Sequence, residues 1–163
     1  MATYNYKARE LFRLPVFEHV MHKPKCKTDS WLYVAVPADA ALSALGPYDR
    51  LYVGSQTADR MFRGDGLGGN NFHHAQMRAG NGSDNPIQFL QSGRQITIHR
   101  ISAKQIAHAV EGRTELAAYR PLLRHPGKHV GYWFEQAILH SEPQAWRWNT
   151  ASADKQLRGI LAI

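Results

Sequence analysis

Two short runs, Trp31-Leu32-Tyr33-Val34-Ala35-Val36 and Leu51-Tyr52-Val53, leave this chain few ways to fold. Both are rich in aromatic and β-branched residues, which suit the pleated surface of a sheet. The first is closed by Pro37, which cannot donate to a ladder, and the second stops at Gly54. Residues 38–49 between them carry the turn pair Gly46-Pro47. Strands over Trp31–Val36 and Arg50–Ser55 are therefore expected to pair as an antiparallel hairpin with a decorated loop.

The same reading extends along the chain. Arg94–Ile101 alternates Ile96 and Ile98 with polar neighbours, the pattern of a third strand. Helices are expected over Ala58–Arg63, capped by Ser55 or Thr57, and over Asn71–Ala79. Further helical stretches are Ala103–Gly112 behind Ser102, the segment after Thr114, and Tyr132–His140, which stops near Pro143. Asn5–Lys23 spaces Leu11, Leu14, Phe17, Val20 and Met21 as a helix broken at Pro15, so residues 1–29 read as a helical N-terminal extension followed by a basic loop. A length of 163 residues suits one domain with a real core, and no repeat period points to a solenoid. The expected fold is α+β: a small three-stranded antiparallel sheet flanked by helices.

Charge narrows the function classes. Twenty Lys and Arg against 13 Asp and Glu give a net charge of +7, and the basic residues are spread along the chain. Such a surface favours polyanions, because cations placed near phosphates release condensed counterions. No apolar run is long enough to span a bilayer and the amino terminus lacks a secretory core, so no membrane partner and a cytoplasmic location are expected. The single cysteine, Cys26, fits a reducing compartment and reads as an incidental thiol in a basic loop.

Glu135 is the chemical oddity. It lies in Tyr132-Trp133-Phe134-Glu135-Gln136-Ala137-Ile138-Leu139, where an acid is costly unless a cation or an arginine pairs with it. The bland alternative places it on a polar stripe with Gln136 or His140. The glycine-rich stretch at residues 64–71 lacks the Lys-Ser/Thr ending of a phosphate-binding P-loop and reads as a connector.

The order of these pieces resembles the GIY-YIG endonuclease superfamily. Trp31-Leu32-Tyr33 is similar to its first motif and Tyr52-Val53-Gly54-Ser55 to its second, while Glu135 precedes Pro143 and Asn149 as that family's glutamate precedes a proline and an asparagine. The glycine and isoleucine of the first motif are replaced by Trp31 and Leu32. The resemblance implies a DNA endonuclease in which Tyr33 takes a proton from water and Tyr52 holds the water or phosphate. Glu135 would bind one Mg²⁺ or Mn²⁺, and His74, in the pair His73-His74, would bond the scissile phosphate or relay a proton. The family's arginine remains open among Arg60, Arg63 and Arg78. Gly54, Ser55, Arg78, Arg147 and Asn149 are candidate nucleic-acid contacts, with Trp146 and Trp148 beside Arg147 as an aromatic and basic patch, or else as core or subunit interface.

On this reading the chain acts on double-stranded DNA, as a homodimer if it is a type II restriction enzyme that cuts both strands. A toxin-type nuclease domain is a variant of the same idea. A basic nucleic-acid-binding module without catalysis is the alternative from another class. Met61-Phe62-Arg63-Gly64-Asp65 is faintly similar to the arginine motif of ADP-ribosyltransferases, but no Glu-x-Glu follows, and a His-Asn-His metal nuclease lacks downstream partners for His73-His74.

Overall fold

A computed structural model describes residues 18–19, 30–57, 96–149 and 152–163. The sheet has the order β1-β4-β2-β3, all neighbours antiparallel, with β1 at Glu18–His19, β2 at Ser30–Pro37, β3 at Tyr52–Thr57 and β4 at Ile96–Ser102. The three-stranded core β4-β2-β3 is the expected sheet. The strand β1 was not expected: Glu18 and His19 fall where the sequence reads as helix, yet they pair with Arg100 and His99. Pro15 already interrupts any helix just upstream, and the outer edge of β4 carries backbone groups that need partners, which an extended pair supplies.

β2 is interior to the sheet and buried along its whole length, so after Ser30 it reads as one continuous apolar run rather than alternating. The β2–β3 hairpin forms as expected, through residues 38–51 and a short 3₁₀ turn at Leu42–Ala44. β3 begins two residues later and ends two residues later than the expected Arg50–Ser55, running on to Thr57.

Ser102 ends β4 and starts helix α1, Ala103–Gly112. Its hydroxyl accepts from the Gln105 amide while the Gln105 side chain accepts from the Ser102 amide, a reciprocal capping box. A 3₁₀ helix follows over Thr114–Leu123. Pro121 lies inside it and has no N–H to offer a carbonyl four residues back, which disfavours the α form.

Helix α2, Val130–Ser141, carries the acidic oddity. His129 caps it, its Nδ1 accepting from the Tyr132 amide at 3.1 Å. A short helix α3, Gln156–Leu161, closes the chain. The core lies between one face of the sheet and these helices: Leu32, Val34, Val53 and Ile101 against Ile106, Val110, Phe134 and Ile138. Among the described residues no helix is long and apolar enough to cross a membrane. The expected helices Ala58–Arg63 and Asn71–Ala79, the connector at 64–71 and Cys26 lie outside the described residues.

Candidate functional site

Six of the sequence-derived candidates, Tyr33, Tyr52, Gly54, Ser55, Glu135 and Asn149, gather around Val53, Gly54 and Ser55 of β3. Register explains the arrangement: Tyr33 stands opposite Gly54 and Ala35 opposite Tyr52, so the two phenols share one face of the hairpin. Their rings sit 6.0 Å apart, tilted by 31°. A Cβ built on Gly54 would lie 2.5 Å from both Cζ and the hydroxyl oxygen of Tyr33, and 2.9 Å from a ring carbon of Tyr52. The Tyr33 phenol therefore lies across the backbone of β3, in the space that a side chain at 54 would fill. Glycine here serves close approach, with no demand for an unusual φ. Tyr33 is 2 % exposed, whereas Tyr52 is half-buried.

The next residue points the other way. Ser55 stands opposite Leu32, on the core face, and its hydroxyl donates to Glu135 Oε2 at 2.6 Å. Helix α2 reaches this spot because its first turn presses directly on β2. A Cβ at Gly131 would come within 2.6 Å of the Trp31 carbonyl oxygen, and the Gly131 amide donates to Ser30 Oγ at 3.3 Å. Glu135 lies one turn further on and so meets β3. Its burial pushes the carboxyl up to about 7, against the Ser55 hydroxyl, whose bond favours the charged form. The polar-stripe alternative is thereby set aside: Glu135 faces the sheet, and Gln136 is itself buried, accepting from the Asp154 amide at 2.7 Å.

The same helix turn holds the C-terminal segment. Tyr132 donates to Asp154 Oδ2 at 2.5 Å, and burial, then that carboxylate, then the charge of Glu135 push the phenol up to about 12. Asp154 is held below the usual carboxylate range mainly by the same bond.

Residues 147–149 run along the outer edge of β3. The Arg147 and Trp148 amides donate to the carbonyls of Arg50 and Leu51. Asn149 then uses both ends of its amide on one residue, accepting from Val53 N and donating to Val53 O, each at 2.9 Å. An edge residue whose N–H and C=O point outward is thus satisfied by a side chain that imitates a strand. Trp146 and Trp148 are 2 % and 1 % exposed, so of the two readings of this patch, open to bases or part of the core, the buried one holds; the segment is a turn closed by the Asn149 amide donating to the Trp146 carbonyl at 3.1 Å. Arg147, on the other side, lies 5.7 Å from the Tyr48 ring.

The sequence-derived candidates Tyr33, Tyr52, Gly54, Ser55, Glu135 and Asn149 thus converge on one stretch of edge strand from positions far apart in the chain. They do not line a single open groove. The pleat sends the phenols and the Glu135–Ser55 pair to opposite faces of β3, and the Tyr33 ring is buried. Arg60, Arg63, His74 and Arg78 lie outside the described residues.

One pair escaped sequence reasoning altogether. Arg50 Nε donates to Glu142 Oε2 at 2.8 Å, with side chains 11 % and 2 % exposed, and Arg50 Nη1 donates to the Gly46 carbonyl at 2.9 Å. The two residues are 92 positions apart, and no local pattern marks either.

Among the described residues no three His, Cys, Asp or Glu side chains gather as a metal cage. A cage is not what a hard cation such as Mg²⁺ needs, since it keeps several waters and takes one or two carboxylates. The Glu135 carboxylate with the adjoining Ser55 hydroxyl offers oxygen donors of that kind, and a carboxyl held protonated to near neutrality by burial gains from an added positive charge. Comparison with protein-family models, with curated proteins and with solved structures returns no match.

Proposed function

We propose that this chain is a divalent-metal-dependent endonuclease of the GIY-YIG type, hydrolysing DNA phosphodiester bonds. The observation that carries the reading is the meeting of Glu135 with Ser55, the residue after the glycine over which the Tyr33 phenol lies. A part-buried carboxyl pushed up to about 7 by desolvation is costly to the fold when ionised and gains from a cationic partner.

Glu135, with Ser55 beside it, would hold Mg²⁺ or Mn²⁺. When bound, such an ion neutralises charge on the phosphate and makes a water more acidic. Ser55 fixes the direction of the carboxylate. Tyr52, the more accessible phenol, would hydrogen bond phosphate or water on its own face of β3, across the strand from Glu135, with the Tyr33 ring packed beside it. An arginine among Arg60, Arg63 and Arg78 would neutralise the nonbridging oxygens, and His74 would relay a proton. A type II restriction enzyme acting as a homodimer on double-stranded DNA is the form of this activity we favour.

Incubating the purified protein with supercoiled plasmid tests the reading. Nicked or linear product with Mg²⁺, and none with EDTA, is expected; discrete fragments would indicate sequence-specific cutting. Plasmid that stays supercoiled across Mg²⁺ and Mn²⁺ concentrations would contradict it.

The burial of Tyr33 favours a second reading, a basic nucleic-acid-binding module without catalysis, since a phenol 2 % exposed has little direct access to a reacting water. Such a module binds DNA equally well in EDTA and never cuts it.

A further inference from the structure

Tyr48 is the most exposed large aromatic residue among those described, at 75 %, and it sits at the tip of an unusually well-braced turn. Gly46-Pro47-Tyr48-Asp49 is a β-turn with proline at its second position, closed by the Asp49 amide donating to the Gly46 carbonyl at 3.1 Å. The Gly46 amide donates back to Asp49 Oδ2 at 3.0 Å. The Arg50 guanidinium, anchored on buried Glu142, donates to the same Gly46 carbonyl. Arg147 completes the arrangement: its Nη1 donates to the Tyr48 carbonyl at 3.1 Å, and its guanidinium lies 5.7 Å from the ring centre.

An exposed ring on a mobile loop loses conformational freedom on binding. A ring on a turn fixed by four hydrogen bonds and an ion pair has little left to lose, and tyrosine offers a large contact area with few rotatable bonds. The guanidinium against the ring adds positive charge where a base would bring its phosphate. Resting on the proposed nuclease reading for its choice of ligand, we infer that Tyr48 is a stacking platform for an unpaired nucleobase, with Arg147 gripping the neighbouring phosphate.

The test measures binding in EDTA, so it does not depend on cutting. Wild type, Tyr48→Ala and Tyr48→Trp are titrated against a single-stranded oligonucleotide carrying 2-aminopurine and against a blunt duplex of the same sequence. Stacking quenches 2-aminopurine, and stacking losses in other proteins predict a single-strand affinity about tenfold weaker for Tyr48→Ala, with Tyr48→Trp close to wild type and duplex affinity unchanged. Because the ring is exposed, truncating it leaves the fold intact. Tyr48→Ala binding the single strand as wild type does, an equal loss on the blunt duplex, or no binding of either probe by wild type would overturn the inference. Tyr48-dependent quenching by a protein that never cuts DNA would leave the platform standing and remove the nuclease reading alone.

Discussion

Replacing Glu135 by glutamine should make the protein more stable in mild alkali. Burial holds the carboxyl at about 7 in the folded chain against an ordinary 4.5, with the Ser55 hydroxyl pulling the other way. The folded state thus binds this proton more tightly than the unfolded state, and ionising the group costs the folded state free energy. Stability from this residue is intact below about pH 4.5, falls as pH rises through the interval up to about 7, and levels off above it. Each tenfold difference in proton affinity is worth about 1.4 kcal/mol, so the displacement from 4.5 to about 7 amounts to about 3 kcal/mol. Glutamine has the same shape, still accepts the Ser55 hydroxyl bond and cannot ionise. Urea unfolding followed by tryptophan fluorescence reads the difference well, because Trp31, Trp133, Trp146 and Trp148 are all buried. Glu135→Gln is expected to exceed wild type by about 3 kcal/mol near pH 8 and to match it near pH 4. Other carboxylates titrate in both proteins and cancel. Equal or lower stability of the variant near pH 8 would refute the account of a strained carboxylate. Millimolar Mg²⁺ near pH 8 should recover part of the deficit in wild type and none in the variant.

Two further substitutions probe the framework. Gly54→Ala puts a methyl group 2.5 Å from the Tyr33 phenol, so the ring must move within a buried site; a loss of about 1–3 kcal/mol, relieved when Tyr33→Leu is added, is expected in a double-mutant cycle by thermal denaturation, and a neutral Gly54→Ala would contradict the close approach. Glu142→Ala strands the buried Arg50 charge and should cost about 3 kcal/mol in chemical denaturation, with a cost under about 1 kcal/mol contradicting the buried pair.

What the sequence reveals of this molecule is what local chemistry encodes. The hairpin is legible because proline and glycine punctuate two β-branched runs, although β3 continues past Gly54 through a position where a neighbouring phenol, rather than a turn, requires glycine. The start of α1 is legible in Ser102 and Gln105, three residues apart, because both halves of a capping box sit in one turn. β1 is not legible, since two residues carry no periodicity and their pairing depends on an edge far along the chain. Glu135 stands out as an acid among aromatics, but its partner Ser55 is 80 positions away and its choice is made by the docking of Gly131 on Trp31. Trp146 and Trp148 are ambiguous in the sequence, because an aromatic–arginine–aromatic run suits a binding patch as well as a core, and the turn that buries both rings is held by carbonyls of Arg50 and Leu51 almost a hundred positions away.

The central claim is that Glu135 is the residue on which cutting depends and binding does not. Wild type and Glu135→Ala are compared on one DNA duplex, with affinity measured in EDTA and cleavage measured with Mg²⁺. The account predicts equal affinity and loss of all detectable cleavage in the variant. A Glu135→Ala protein that still cuts in Mg²⁺ would contradict it.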